Sequence, residues 1–341
     1  MPLWWNPLVN SYSLAEELLR EYLEIYEGVY RRMEGMNSVG GFGIANVDII
    51  FGNARRMPKL GEEVYSESCS KQLGGGAVAT LIQLSRLGVP VKLATYIGEG
   101  PLSRYLVKEL EKDKIEYTNM LSTDEEDPVT LSCVVSCMQD RGIVSYKPEE
   151  AAFAVEKKKI YEFYEGCRIA FLSLEQKDLC RPLKEAGCTI VLDSAWSDML
   201  SLEWYYDAFP YVDYFIPNSM EAMKITGADT PVQALERLSE HLKNPIVKNG
   251  NAGCLYKENK ELHIIEPLPV RHVDSTGAGD AFAAGFMYGL YYGYDLGDCI
   301  RFGNITGGNA VTEMGCLSAE MDEEKLLKYF YEIYGREKKI S

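Results

Sequence analysis

Asp274-Ser275-Thr276-Gly277-Ala278-Gly279-Asp280-Ala281-Phe282 is the stretch from which the rest of this chain can be read. Two glycines and an alanine stand between two acids, and a small-residue, apolar run follows from 281 to 292. That run predicts a buried helix, with Gly277 to Gly279 at its first turn. Backbone N–H groups there have no partner inside the helix and carry the positive end of the macrodipole. A helix start so poor in side chains suits an anion, most often a phosphate. Asp280 then puts an acid beside an anion site, and two readings are open. The helix dipole alone favours an acid in a first turn. Alternatively, a carboxylate beside a transferable phosphoryl group takes the proton of an attacking hydroxyl.

Upstream, short apolar runs alternate with helical stretches. Strands are expected at 42–51, 91–97, 167–174, 189–193, 214–217 and 246–249. Helices are expected at 76–87, 102–112, 149–164, 179–186, 219–226 and 231–242. Such alternation implies an α/β fold, a doubly wound parallel sheet covered on both faces, with ligands at the carboxyl ends of strands. Two segments break the pattern. Residues 55–73 have no helical period. Val129, Leu131, Cys133, Val135 and Cys137 alternate with mostly polar residues and lead through a turn into 142–146, which predicts a hairpin. These pieces, 52–73 and 127–147, predict a small antiparallel β-sheet lid, and a flap of this kind would exclude water. Residues 1–39 read as an extension. Ser13 and Glu16 form a capping-box pattern, and apolar residues at helical spacing predict an amphipathic helix over 14–33. It either packs on its own domain or serves oligomerisation. The main domain would then run over 40–341.

The 341 residues suit one large α/β domain with a small appendage, and 46% hydrophobic residues supply a core. A net charge of −16 repels nucleic-acid phosphates, and no basic run counters it, so no nucleic-acid partner is expected. No apolar segment reaches membrane-spanning length and no signal-peptide pattern opens the chain, which predicts a cytoplasmic protein without a membrane partner. Nine cysteines without a CxxC pair argue against both a zinc site and a disulfide framework. A GxxxxGK[ST] P-loop, HExxH, GxSxG and a full GxGxxG are all missing. The three histidines, His241, His263 and His272, read as surface or structural.

Five further segments give the opening motif its company. Asn218 and Glu221, three apart at a helix start, are either a cap with its acid or a pair that holds metal-bound water beside a triphosphate. Lys248 to Gly253 carries Gly250 and Gly253, which let backbone approach a nucleotide or else close a tight hairpin. Gly74-Gly75-Gly76 precede a helix containing Ala79, and either admit a polar ligand or permit close packing. Asp48 and Glu175, at strand ends, can each accept two sugar hydroxyl bonds or are surface acids.

In this order, Asp48, Gly74-Gly75, Glu175, Asn218-x-x-Glu221, Gly250-x-x-Gly253 and Asp274 to Asp280 resemble the ribokinase-like sugar kinases of the PfkB family, over roughly residues 40 to 335. The resemblance implies a three-layer α/β/α fold with a β lid that serves as a homodimer contact. It implies transfer of the ATP γ-phosphate to a sugar or nucleoside hydroxyl. Asp280 would then be the catalytic base, and the Gly277, Ala278 and Gly279 amides the anion hole. Asn218 and Glu221 would organise Mg2+ and its waters. Lys248, Gly250, Gly253 and Asn304 would line the nucleotide. Asp274 and Thr276 would bind a monovalent cation such as K+. Asp48, Gly74, Gly75 and Glu175 would face the acceptor.

The chain also departs from the family pattern. Ala79 stands where an Asn commonly bonds substrate hydroxyls, and Gly76 where ribokinases proper carry Lys. These losses point away from ribose and from a phosphosugar, although Lys71, Arg104 or Arg141 could meet a second phosphate. The strand end Asp193-Ser194 lacks the Asn-x-x-Arg expected of some keto-acid sugar kinases. The expected acceptor is a small unphosphorylated sugar or related polyol. The alternatives are a nucleoside, with space gained at Ala79, or a catalytically silent binding relative.

Overall fold

The computed structural model describes residues 37–137, 141–148, 155–194, 197 and 199–335. The helix expected over 14–33 lies outside the described residues.

Strand β1 (Ser38–Phe42) lies at the centre of the main sheet and is almost wholly buried. Next come β2 (Asn46–Ala54), β3 (Ser68–Gly74), helix α1 (Gly76–Arg86), β4 (Val91–Thr95), α2 (Pro101–Lys112) and β5 (Glu116–Asn119). A hairpin follows, β6 (Thr130–Cys137) and β7 (Arg141–Tyr146), and then α3 (Lys157–Tyr164), β8 (Cys167–Ser173) and α4 (Cys180–Glu185). The chain continues through β9 (Thr189–Asp193), β10 (Tyr214–Phe215), α5 (Ser219–Thr226), α6 (Pro231–Leu238), β11 (Ile246–Lys248), β12 (Cys254–Glu258) and β13 (Glu261–Ile265). Three helices close it: α7 (Ala278–Tyr291), α8 (Leu296–Ala310) and α9 (Glu323–Tyr334).

The main sheet runs β10-β9-β8-β1-β4-β5, parallel throughout. Single bridges from Phe215 to Pro245 and from Asn218 to Lys248 extend it to the antiparallel β11-β12-β13. Strand order reverses between β1 and β8, so the carboxyl ends on either side of that point open a crevice for a ligand. Leu81, Leu84, Leu93, Ile169, Val191, Phe286 and Phe302 belong to one buried core.

The continuous strand expected over 42–51 is two strands. β1 ends at Phe42, and β2 starts at Asn46 in a different sheet, the lid β3-β2-β6-β7. Alternation alone does not distinguish one ten-residue strand from two, because the partner strands decide where the chain leaves the sheet. Asp48 is therefore a lid residue and not the end of a core strand. The lid is mixed rather than antiparallel, since β2 pairs parallel with β6 while β3 and β7 pair antiparallel. Of the segment 52–73 expected in the lid, Ser68–Gly74 forms the lid strand β3. The helix expected over 149–164 is described from Lys157 on, and the one expected to reach 242 stops at Leu238.

Helix α8 escaped the sequence reading because Gly297, Gly303, Gly307 and Gly308 lower its propensity. Packing overrides propensity here. A Cβ on Gly285 of α7 would stand 2.5 Å from the Phe302 carbonyl of α8, so the small residue lets the two helices meet.

Candidate active site

Asp193 ends β9, Lys248 ends β11, and Asn218 caps α5 just beyond β10. The first turn of α7 faces them. Together they line a cavity of about 870 Å³, whose other wall includes Leu268, Val270, Phe282 and Val311. A mostly apolar wall with a few convergent polar groups is the ordinary form of a small-molecule site.

The polar end of the cavity is a charge cluster. Lys248 Nζ lies 3.0 Å from Asp193 Oδ1, and the two side chains are only 13% and 15% exposed. Burial acts most strongly on Lys248 and disfavours its charge. Asp193, Glu221 and Asp280 outweigh that effect and raise its pKa. Burial raises Asp193, and Lys248 partly offsets the rise. Asp280 is pushed up to about 7, first by burial and then by the charge of Asp193, with Lys248 opposing. The Cys316 thiol donates to Asp280 Oδ2 at 3.6 Å and lowers the pKa slightly. A carboxylate held at that proton affinity can take up a proton near neutral pH.

Asn218 and Glu221 form a complete capping box. Asn218 Oδ1 accepts from the Glu221 N–H at 2.9 Å, and Glu221 Oε2 accepts from the Asn218 N–H at 2.9 Å. The Ser194 hydroxyl adds a 2.6 Å bond to the same Oε2. Burial raises the Glu221 pKa, while Ser194 and Asn218 hold it back. The cap reading of this pair is thus realised, and both residues also line the cavity.

Gly277 caps α7 with φ +74°, in the left-handed region that side chains avoid. A Cβ there would also lie 2.3 Å from Cys316 Sγ. The position therefore needs glycine twice over, and the turn it makes exposes the α7 amides. Ten expected residues meet on this one cavity: Asn218, Glu221, Lys248, Gly250, Gly253, Gly277, Ala278, Gly279, Asp280 and Asn304. The Asn304 amide nitrogen is already committed, donating to the Ile265 and Glu266 carbonyls at 3.0 Å each.

The expected acceptor residues are more dispersed. Asp48 is buried on the lid, and Asn46 Nδ2 donates to its Oδ1 at 2.6 Å. The Ser132 hydroxyl reaches Asn46 Oδ1 at 3.2 Å and the Ser145 hydroxyl at 2.9 Å. A Cβ on Gly74 would stand 2.6 Å from Asp48 Oδ2, so that glycine makes room for the acid. Gly75 is the N-cap of α1, and Gly76 is exposed with open space around it. Ala79 is wholly buried within α1. Glu175 is exposed on the turn after β8 and does not join the cavity. Arg141 opens β7, and its side chain lies outside the described residues. Asp274 and Thr276 lie off the cavity in a compact turn. Asp274 Oδ1 accepts from Thr276 N at 3.1 Å and Oγ1 at 2.8 Å, and Oδ2 accepts from Gly315 N at 2.9 Å.

Sequence reasoning passed over Asn46, Asp193, Ser194 and Cys316 as site residues. For Asp193 a signal existed, an acid at a strand end in a sheet whose ligands bind at strand ends. Cys316 has none, because only folding brings it to Asp280. His272, expected to be surface or structural, is exposed but lines the cavity mouth, with Nε2 2.8 Å from Ser275 Oγ.

A family model for pfkB family carbohydrate kinases matches residues 36–323. A 2-dehydro-3-deoxygluconokinase of Bacillus subtilis is 26% identical over 281 residues, covering 76% of this chain and 87% of the relative. Among solved structures, a ribokinase from Thermotoga maritima aligns with a TM-score of 0.73 and 23% identity, over 86% of this chain and 99% of that one. An Arabidopsis thaliana ribokinase complexed with ribose and ATP aligns with a TM-score of 0.69 and 22% identity, over 86% and 98%. The fold of the chain is that of the ribokinases, an α/β fold with a parallel central sheet and a small lid sheet.

Proposed function

Because the chain belongs to the pfkB family of carbohydrate kinases, and so is an ATP-dependent sugar kinase, we propose that it phosphorylates a hydroxyl of a small unphosphorylated sugar or related polyol. The observation that carries this reading is Asp280. It stands at the first turn of α7, beside the amides of Gly277 to Gly279, with its carboxyl pushed up to about 7.

Asp280 takes the proton of the acceptor hydroxyl as that oxygen attacks the γ-phosphorus. The Gly277, Ala278 and Gly279 amides receive the charge that develops on the phosphoryl oxygens. Each such donor is worth roughly 3–4 kcal/mol in comparable sites. The nucleotide occupies the cavity between Lys248 to Gly253 and α8, with its base against the apolar wall of Leu268, Val270 and Val311. Lys248 places a buried positive charge next to the phosphates.

Asn218 and Glu221 would hold Mg2+ through its waters, and the ion would neutralise phosphate charge. No group of three or more His, Cys, Asp or Glu among the described residues could hold a metal alone. That suits an ion carried on the nucleotide. The oxygen-rich turn of Asp274 and Thr276 would take K+.

The lid brings Asp48, with Asn46 and Ser132 behind it, to the acceptor side. The opposite lid surface carries exposed Cys69, Cys133, Val144 and Tyr146, which suit a homodimer contact. The nucleoside alternative drew on space at Ala79. That residue is wholly buried, which favours the sugar.

The test is ATP consumption with separate pools of sugars, sugar acids, polyols and nucleosides, in K+ and in choline buffers. The acceptors named in the relatives, 2-dehydro-3-deoxygluconate and ribose, are included singly. Turnover is expected in an unphosphorylated-sugar or polyol pool, and turnover in the sugar-acid pool alone would move the acceptor to a sugar acid. Turnover with nucleosides alone would remove this reading in favour of a nucleoside kinase. None with any acceptor would leave the silent relative.

A further inference from the structure

The segment 311–318 follows α8 and is held from three sides. From the lid, Gln72 Nε2 donates to the Met314 carbonyl at 3.2 Å and to Ser318 Oγ at 2.8 Å. From α1, Gln83 Nε2 donates to the Cys316 carbonyl at 3.4 Å. From the turn before α7, Asp274 Oδ2 accepts from Gly315 N at 2.9 Å. At the centre of this clamp is Cys316, 4% exposed, whose thiol donates to Asp280 Oδ2 at 3.6 Å. The lid strand β3 thus reaches the proposed base through one side chain and five residues of loop.

We propose that Cys316 is a positioning residue for Asp280, and that the lid sets the contact through Gln72. The thiol occupies Oδ2 and orients the carboxylate, so that the acceptor proton is received on Oδ1. The proposal rests on the reading of Asp280 as the base. When the lid seats, Gln72 fixes the loop at Met314 and Ser318, and the Cys316 donor is in place. When the lid lifts, the loop loses that anchor and the donor moves off. Proton affinity at Asp280 is then coupled to lid position, through a hydrogen bond that favours the charged carboxylate.

Other groups also face this carboxylate. Asp193 from β9 raises its proton affinity, and Lys248 from β11 lowers it. The Thr80 hydroxyl from α1, wholly buried, lies close enough to lower it as well. Burial first, then the Asp280 carboxylate, with Asp48 and Asp274 adding less, hold the Cys316 thiol protonated, which keeps it a donor. In that setting Cys316 is not a nucleophile, since its pKa is driven well above the ordinary thiol range, chiefly by burial.

The experiment follows the aspartate carboxyl carbons by NMR titration of 13C-labelled full-length protein, with Asp280→Asn to assign the Asp280 signal. It needs no acceptor, so it stands apart from the kinase assay. Full turnover in Asp280→Asn would remove the base reading, while the titration would still report the contact. In Cys316→Ala the Asp280 midpoint is expected to rise by about 0.5 unit, the scale of one weak hydrogen bond. Cys316→Ser, which keeps a donor and packs nearly the same volume, should return it to the wild-type value or below. Gln72→Ala should raise it in the same direction. Thermal unfolding of each variant confirms that it is folded. A folded Cys316→Ala with an unchanged midpoint makes the thiol mere packing and overturns the proposal. A shift in Cys316→Ala with none in Gln72→Ala removes the lid connection.

Discussion

Asp280→Asn keeps the fold and the affinity for nucleotide and lowers kcat by about 10²–10⁴-fold, the usual contribution of general acid–base catalysis. The substitution is isosteric, so the turn at Gly277 and the α7 amides stay in place. Only the proton acceptor is lost. In the wild type the base must be unprotonated to act, so kcat/KM falls as pH drops through about 7. The variant has no such limb. Stability carries an opposite sign. The folded-state pKa of Asp280, about 7, lies above its ordinary value of 3.8. Between the two the native protein binds the extra proton, and ligand-free stability declines as pH rises through that window. Asp280→Asn should flatten that decline. Single-turnover kinetics, nucleotide titration and urea unfolding across pH check the three parts separately. A variant that turns over near the wild-type rate would remove Asp280 from the chemistry.

Lys248→Met should cost about 3 kcal/mol of stability, the lower end of what breaking a buried ion pair costs. The ammonium interacts with the charges of Asp193, Glu221 and Asp280 together. Removing it leaves the 15%-exposed Asp193 carboxylate with a backbone donor from Ser194 and no counter-charge. The proton affinity of Asp280 should rise further, moving the acid limb of kcat/KM upward. The double variant Lys248→Met with Asp193→Asn should recover most of the stability, because the stranded charge goes with its partner. It should not recover nucleotide affinity, since the charge beside the phosphates is still missing. Urea unfolding of the four proteins in a cycle gives the coupling directly. A single variant within about 0.5 kcal/mol of wild type would mean that the pair is solvated and that the cluster is not the electrostatic unit described here.

The residues that meet on the cavity were legible in the chain because they are set by local signals. Gly277-Ala278-Gly279 announces a helix start without side chains, and Asn218-x-x-Glu221 is a capping box by its spacing alone. Each signal spans a few residues and depends on backbone geometry within one turn. The acceptor half was less legible. Asp48 was singled out but assigned to the end of a core strand, since the break at 43–45 has no period of its own. Asn46 gains its role only from Ser132, 86 residues away, and from Asp48 in the same strand. Glu175, chosen because it follows a strand, ends up exposed, because the chain turns at once into a 3-10 helix.

What the chain determined by itself was the α/β class, the side-chain-poor helix start at Gly277 and the acid placed beside it. Those follow from hydrophobic period, glycine and the helix dipole, all of which act over a few residues. Tertiary structure alone decided which strands belong to the lid and which buried charges share Lys248. It also decided that Cys316 meets Asp280. These contacts join residues far apart in the chain, 36 positions for Cys316 and Asp280, 55 for Lys248 and Asp193 and 86 for Ser132 and Asn46, and their energy comes from burial and charge at close range. No local pattern encodes which distant group will be there.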